Sequence, residues 1–367
     1  MRALVITIVH HPQDSRIRFR EIEALLNSGW EVSYAAPFSG YGLTTRPAGP
    51  LRQLDLPRAS GRRRLPAIRA ARNLLKSEGP GHDVVLLHDP ELLVAQAGLG
   101  LPHVVWDVHE DTAAAVTLKP WLPRALRPIV RWAFTRVERL AERQAHLILA
   151  EHAYQDRFKH RHVVVPNVNH VPTAVLPPDQ PRSVYLGSVT RARGADELIE
   201  VARLIAAKTD GALKLEVIGP ASGEVAGALR KAADDGVLDW RGFMPATDAL
   251  ARVGGSIAGL SLLHDEPNYR VSLPTKVVEY MASGVPVVTT PLPLARDLIE
   301  QVGCGVVVPF RDAGAAADAV LALWSDATRR HAMGAAGHAA ARARYDWTDH
   351  AGAFVAELSR IARTRLK

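Results

Sequence analysis

The chain has 367 residues, nearly half of them apolar, with one cysteine and a formal charge of +7. That length exceeds one ordinary core and suits two domains, and the composition excludes a disordered or fibrous chain. The single Cys304 excludes an internal disulfide and a cysteine-based zinc cage.

Positive charge of this size favours nucleic acid, an anionic membrane or phosphorylated small molecules. No nucleic-acid motif of the usual kinds is present, which leaves membrane and phosphate. The start, "MRALVITIVHH", lacks the apolar length of a signal peptide, and no later segment reaches the roughly 18 apolar residues needed to span a bilayer. A cytoplasmic protein is the expectation.

From the N-terminus, "RALVITIV" reads as a strand, "RIRFREIEALLNSGW" as a helix stopped by Gly29, and "EVSYAAP" as a second strand. "DVVLLHD", "HVVWDVHE" and "HLILAEH" follow as buried strands with polar ends. Such alternation predicts parallel sheets covered by helices, with ligands collecting beyond the carboxyl ends of the strands. His10, His11, Asp14, His88, Asp89, His109 and Glu110 fall there. Plain loop hydrogen bonding competes for His10 and His11, and Asp14 and Arg16 can simply pair with each other.

Between these strands lie two basic stretches, "GRRRLPAIRAARNLLK" and residues 119–143. The second mixes Trp121, Trp132 and Phe134 with lysine and arginine, as an interfacial helix does. Packing within the first domain, with solvated arginines, explains the same residues.

Near Val165 the pattern resets. "VPTAVLPPDQPRS" carries four prolines and reads as a linker. The expected division is a first domain over 1–170, a linker over 171–181 and a second domain over 182–346, with a helix over 347–367 returning to the first. The second half repeats the plan, so two α/β domains facing across a cleft are expected.

Two turns in that half favour an anion. In "YLGSVTRARGADELIE", Gly187 permits close backbone approach, Ser188 follows it, and Arg191 and Arg193 precede a helix; arginine binds phosphate oxygens bidentately. In "SLPTKVVEYMASGVPVV", Ser272, Leu273, Pro274 and Thr275 lead into a helix whose free N–H groups favour phosphate. Val277, Val278 and Met281 are expected to face the sheet, and Thr275, Lys276 and Glu279 the cleft or its rim. Glu279 could accept hydrogen bonds from a ribose diol. Neither turn has the spacing of a Walker or dinucleotide loop. Solvated surface charges are the bland alternative at both.

At these residues the sequence resembles the GT-B glycosyltransferases of the large GT4-type retaining group, along nearly the whole chain. "NYRVSLPTKVVEYMASGVPVV" is similar to that group's "E-x7-E" donor segment, with Glu279 at the second glutamate, which implies a ribose contact. "YLGSVTRARG" resembles the turn whose basic residues hold the donor diphosphate, Arg193 matching a lysine. "VHHPQDSRIRF" and "WDVHED" resemble a subgroup with "H-x-x-D-x-R" and "D-x-H-E" signatures, in which His109 matches a residue lining the donor sugar. Two positions depart from the pattern. Val271 stands at the first glutamate, with Asn268, Tyr269 or Ser272 as candidate replacements, and Ser188 stands at the usual arginine, for which Arg191 can substitute.

The resemblance implies metal-independent transfer, with retention, from a UDP- or GDP-linked sugar to an acceptor hydroxyl, as in bacterial glycan or natural-product biosynthesis. His109, Arg193 and Lys276 would serve catalysis. His10, His11, Asp14, His88, Asp89 and Glu110 would lie on the acceptor side. Front-face retention needs no enzymic nucleophile; a double displacement would use Asp14, Asp89 or Glu110. No cofactor is expected beyond the nucleotide sugar, and neither Asp234–Asp235 nor His264–Glu266 is expected to hold a metal. A lipid-linked acceptor would suit peripheral contact with the inner face of the membrane through 119–143. A nucleotide-sugar 2-epimerase and a non-catalytic sugar or phosphate binder are the competing classes.

Overall fold

A computed structural model of the chain describes residues 1–46, 48–101, 103–109, 127–177 and 180–364. It divides into two compact units, Met1–Asn167 together with the segment from Thr348, and Val168–Trp347.

The first unit is built on strands β1 (Arg2–Ile6), β2 (Glu31–Ala36), β3 (Leu51–Asp55), β4 (Val84–Leu87), β5 (Val104–Val108), β6 (His146–Leu149) and β7 (Val163–Val164). They form one sheet in the order β3-β2-β1-β4-β5-β6-β7, parallel throughout. Its helices are α1 (Ile22–Asn27), α2 (Arg64–Glu78), α3 (Pro90–Gln96) and α4 (Arg127–Gln144). Leu4, Ile6, Val85, Leu87, Trp106 and Leu149 pack beneath them as its main core. The strand order reverses between β1 and β4, which opens a crevice at their carboxyl ends.

The second unit repeats the plan with β8 (Arg182–Leu186), β9 (Lys214–Ile218), β10 (Leu238–Gly242), β11 (Gly259–Ser261), β12 (Val287–Thr289) and β13 (Gly305–Val307). The order is β10-β9-β8-β11-β12-β13, again all parallel, with the switch point between β8 and β11. Its helices are α5 (Ala195–Lys208), α6 (Gly223–Asp234), α7 (Ala246–Val253), α8 (Pro267–Arg270), α9 (Thr275–Ala282), α10 (Pro293–Val302), α11 (Ala313–Ser325) and α12 (Ala327–Arg344). Consecutive strand residues serve opposite cores. Tyr185, Val217 and Val288 face one, and Val184, Ile218 and Val287 face the other. A sheet covered on both faces reads as continuous apolar runs, as these strands do.

Three details differ from the sequence expectation. Residues 51–55, assigned to no element, form the edge strand β3, too little buried to show an apolar alternation. The helix expected from Arg16 begins as one π turn, Ile17–Glu21, before α1. Residues 171–177 group with the second unit, where Val171 is buried and Val175 closes over Gly284. A final helix, α13 (Trp347–Arg363), starts at the boundary between the units.

Candidate functional site

In the second unit the turns after β8 and β9 meet backbone to backbone. Gly219 has φ +149°, and a Cβ there would lie 2.0 Å from the carbonyl oxygen of Gly187, so neither side chain nor ordinary φ is admissible. Gly187, at φ +112°, turns its open side toward two cations. A Cβ on it would lie 3.8 Å from Lys276 Nζ and 4.0 Å from Arg193 Nη1.

Lys276 is 6% exposed. Its Nζ has no hydrogen-bond partner among the described residues and rests 3.6 Å from the centre of the Tyr185 ring. Burial holds its ammonium well below the usual lysine range; Arg193 pushes the same way, and Glu279 pulls back. Burying an uncompensated cation is costly, so an anion at this point would relieve both the desolvation and the repulsion from Arg193. The phenol of Tyr280 keeps the base rigid, accepting from Leu186 N (2.8 Å) and donating to Leu260 O (3.1 Å).

The sequence expectation placed Lys276 toward the rim of a cleft; it is instead folded inward. Pro274 stands at the N-cap of α9 rather than inside its first turn. Ser188 is exposed and its carbonyl accepts from Tyr185 OH, while the Ser272 hydroxyl donates to Asn268 O. Leu273 packs on the core, and Thr275 is exposed beside Lys276. Val271 is 44% exposed at the mouth of α9. Arg191 does not join the cluster. Its guanidinium is mostly exposed and pairs with Glu224 at 2.9 Å, because the start of α6 brings a carboxylate nearer than the Gly187 turn.

One turn beyond Lys276, Glu279 accepts a 2.8 Å hydrogen bond from Asn169 Nδ2. Both line a cavity of about 460 Å³, together with His170, Thr247, Leu250 and Ser283. Asn169 escaped the sequence reading because it lies 110 residues from Glu279, and only the fold joins them.

The first unit gathers its polar residues at the β1–β4 crevice. Asp107, fully buried, receives Arg16 Nε (2.8 Å) and Nη2 (2.7 Å) on its two oxygens. His109 Nδ1 donates to Asp107 Oδ2 at 3.0 Å, and His88 Nδ1 lies 3.3 Å from the same oxygen. His109 Nε2 is 3.1 Å from His10 Nε2, which is 3.3 Å from Asp89 Oδ1. Asp89 also accepts from Thr7 Oγ1 and from the N–H groups of Ile8 and Val9. His11 stacks edge-on against Tyr41. Glu110 lies outside the described residues.

Asp14 and Arg16 do not pair side chain to side chain as the simplest reading had them. Asp14 Oδ1 caps the N–H groups of Arg16 and Ile17, and the guanidinium goes to Asp107. Burial alone would raise Asp107, but Arg16 and the imidazole N–H groups outweigh it and hold the carboxyl well below its usual range. Glu21, equally buried, is pushed up to about 8 by burial first and by Asp107 second, against Arg16. His88, Asp107 and His109 are close enough to surround an ion. Their donor atoms converge on one another, however, and the guanidinium of Arg16 already neutralises the carboxylate. Asp107, Glu21 and Thr7 were missed as site residues. Asp107 had a signal: it stands two before His109, at the carboxyl end of β5.

With this geometry in place, comparison with known proteins is informative. Residues 180–326 match the family model "Glycosyl transferases group 1". The matched stretch is less than half of the chain. The Gly187 turn, Arg193, Lys276 and Glu279 all lie inside it. A GDP-mannose-dependent alpha-(1-6)-phosphatidylinositol monomannoside mannosyltransferase of Mycobacterium tuberculosis is 30% identical over 188 residues, 46% of this chain and 45% of that one. The chain thus matches less than half the length of this relative.

Among solved structures, sucrose-phosphate synthase from Thermosynechococcus elongatus superposes with a TM-score of 0.74 at 18% identity, covering 98% of both chains. WaaG, a glycosyltransferase of lipopolysaccharide biosynthesis, gives 0.68 at 14% identity over 99% of this chain and all of the other. Anabaena HepE in complex with UDP and glucose gives 0.68 at 14% identity over 98% and 99%. These likenesses concern the fold, which is of the GT-B type.

Proposed function

We propose that the protein transfers a sugar from a nucleoside-diphosphate sugar to an acceptor hydroxyl. One observation carries this reading: a buried lysine without an acceptor among the described residues, beside Arg193, on the open side of a glycine turn within the stretch that matches the group 1 family. The diphosphate supplies the charge that Lys276 lacks, accepted by Lys276, Arg193, the Gly187 turn and the free N–H groups at the start of α9. Glu279, held by Asn169, takes the ribose diol. Fixed cations stabilise the leaving diphosphate as the glycosidic bond breaks, without reorganisation at the moment of reaction.

The transfer proceeds with retention and without a metal, since the cations that would neutralise the leaving group are side chains. The His10–His109 cluster is the candidate contact for sugar and acceptor. Incubation with UDP-, GDP- and dTDP-sugars, with and without candidate acceptors and with EDTA, tests the reading. Nucleoside diphosphate release that needs an acceptor and survives EDTA supports it. An isomerised nucleotide sugar would mark an epimerase, and binding without turnover a binding protein. The anomeric proton coupling of the product decides retention.

A glycolipid acceptor is favoured by one face of α4. Ile129, Trp132, Arg136, Leu140 and Arg143 recur at helical spacing and are exposed, with Arg136 4.9 Å over the Trp132 ring. On the opposite side Glu138 and Ala141 are buried. An apolar and cationic stripe on one helix suits an anionic lipid surface. Of the basic segment, residues 119–126 lie outside the described ones. Among the described residues no helix is long and apolar enough to cross a membrane. Sedimentation with phosphatidylglycerol vesicles checks this: binding should weaken with salt and with Trp132→Ser, and equal recovery on neutral vesicles would exclude it.

A further inference from the structure

The hydrogen-bond chemistry around Asp107 gives His10 a role beyond that of a ligand contact. Asp107 takes two N–H bonds from Arg16 and, being ionised, can only accept. His109 must therefore present Nδ1–H to it across their 3.0 Å contact. A neutral imidazole with a protonated Nδ1 has a bare lone pair on Nε2. That lone pair lies 3.1 Å from Nε2 of His10. Two lone pairs, or two N–H groups, cannot face each other at this distance, so the proton of the contact belongs to His10.

We propose that His10 is a positioning residue: it donates its Nε2–H to the Nε2 lone pair that Asp107 leaves on His109, and so holds the orientation of that ring. His10 Nδ1 is 4.0 Å from Asp14 Oδ2, and Asp89 Oδ1 lies 3.3 Å from its Nε2. His109 faces Asp107, with the His88 ring 5.7 Å away and Arg16 and Glu21 behind. His109 meets a ligand hydroxyl as an acceptor, once that hydroxyl displaces the His10 N–H, with its tautomer set by Asp107 and its orientation by a neighbour 99 residues away.

The full-length protein labelled with ¹⁵N-histidine tests this by imidazole nitrogen–proton correlation spectra, with His109→Gln used to assign the signal. The expected result is His109 in the Nδ1–H form, with a coupling across the N–H···N bond to His10. His10→Gln offers a replacement N–H and should keep that tautomer. His10→Leu should abolish that coupling and move the His109 Nε2 resonance to that of a lone pair without a donor, with Nδ1–H retained on Asp107. In the transfer assay, His10→Leu should lower kcat about tenfold, the worth of one hydrogen bond. It should leave the donor KM nearly unchanged, and His10→Gln should recover most of the loss. An Nε2–H form of His109 in the unaltered protein overturns the proposal, as do identical His109 spectra in the Leu and Gln variants. The spectra need no donor, so a failure of the transfer reading would register in the assay alone.

Discussion

At the scale of single residues, Lys276 shows how a candidate site residue differs from a stabilising contact. An ion pair or a surface lysine adds a little to stability; a buried ammonium against a ring and a second cation, with no hydrogen-bond acceptor among the described residues, subtracts from it. Lys276→Met keeps the stem and removes the charge. The expected outcome has two opposite signs. Thermal unfolding of the unliganded protein should shift upward, by about 1 kcal/mol. Calorimetric titration with UDP and GDP should lose about 2 kcal/mol, the usual worth of a hydrogen bond to a charged group. A variant that loses stability and binds normally would place Lys276 in the scaffold instead. The residue types and order of this site, Gly187, Arg193, Lys276 and Glu279, were legible in the sequence as a helix start and a basic turn. The inward fold of Lys276 and the diversion of Arg191 to Glu224 were not, because each depends on which charge lies nearest in space.

At the scale of elements, two turns after parallel strands make the cradle, and their contact is set by glycine. Gly219 at φ +149° against the Gly187 carbonyl leaves no volume for a side chain. Gly219→Ala should cost about 3 kcal/mol through backbone strain and steric displacement. Because the displaced atom belongs to the Gly187 turn, nucleotide affinity should fall with stability. Gly29→Ala is the control: φ is +77°, nothing lies within 4 Å, and the cost should stay near 1 to 2 kcal/mol with binding unchanged. Chemical denaturation and titration of both variants give the comparison. The strand-turn-helix series was readable here because buried strands are apolar runs bounded by turn residues. The edge strand β3 lacks that run, and for the π turn before α1 no local sequence signal was recognised.

At the scale of the whole molecule, the first unit concentrates ionisable groups in its interior, and this couples its stability to pH. Glu21 sits at about 8 in the folded protein, above its unfolded value of 4.5. A raised carboxyl contributes stability that is complete below about 4.5 and is lost as pH rises through about 8. Asp107, depressed instead, contributes stability above its unfolded value and loses it as pH falls toward its folded one. Glu21→Gln should therefore flatten the fall in unfolding free energy between about pH 4.5 and 8, while leaving the acid limb due to Asp107 in place; urea titrations across that range measure both. The sequence by itself determined the α/β class, the repeated plan and the strand ends that carry polar residues, because these follow from apolar periodicity and turn chemistry over a few residues. Only the tertiary structure decided which charges meet. Arg16 with Asp107, His10 with His109 and Asn169 with Glu279 are 91, 99 and 110 residues apart. Burial and proximity across such distances are set by how strands are ordered in a sheet, and no local pattern encodes them.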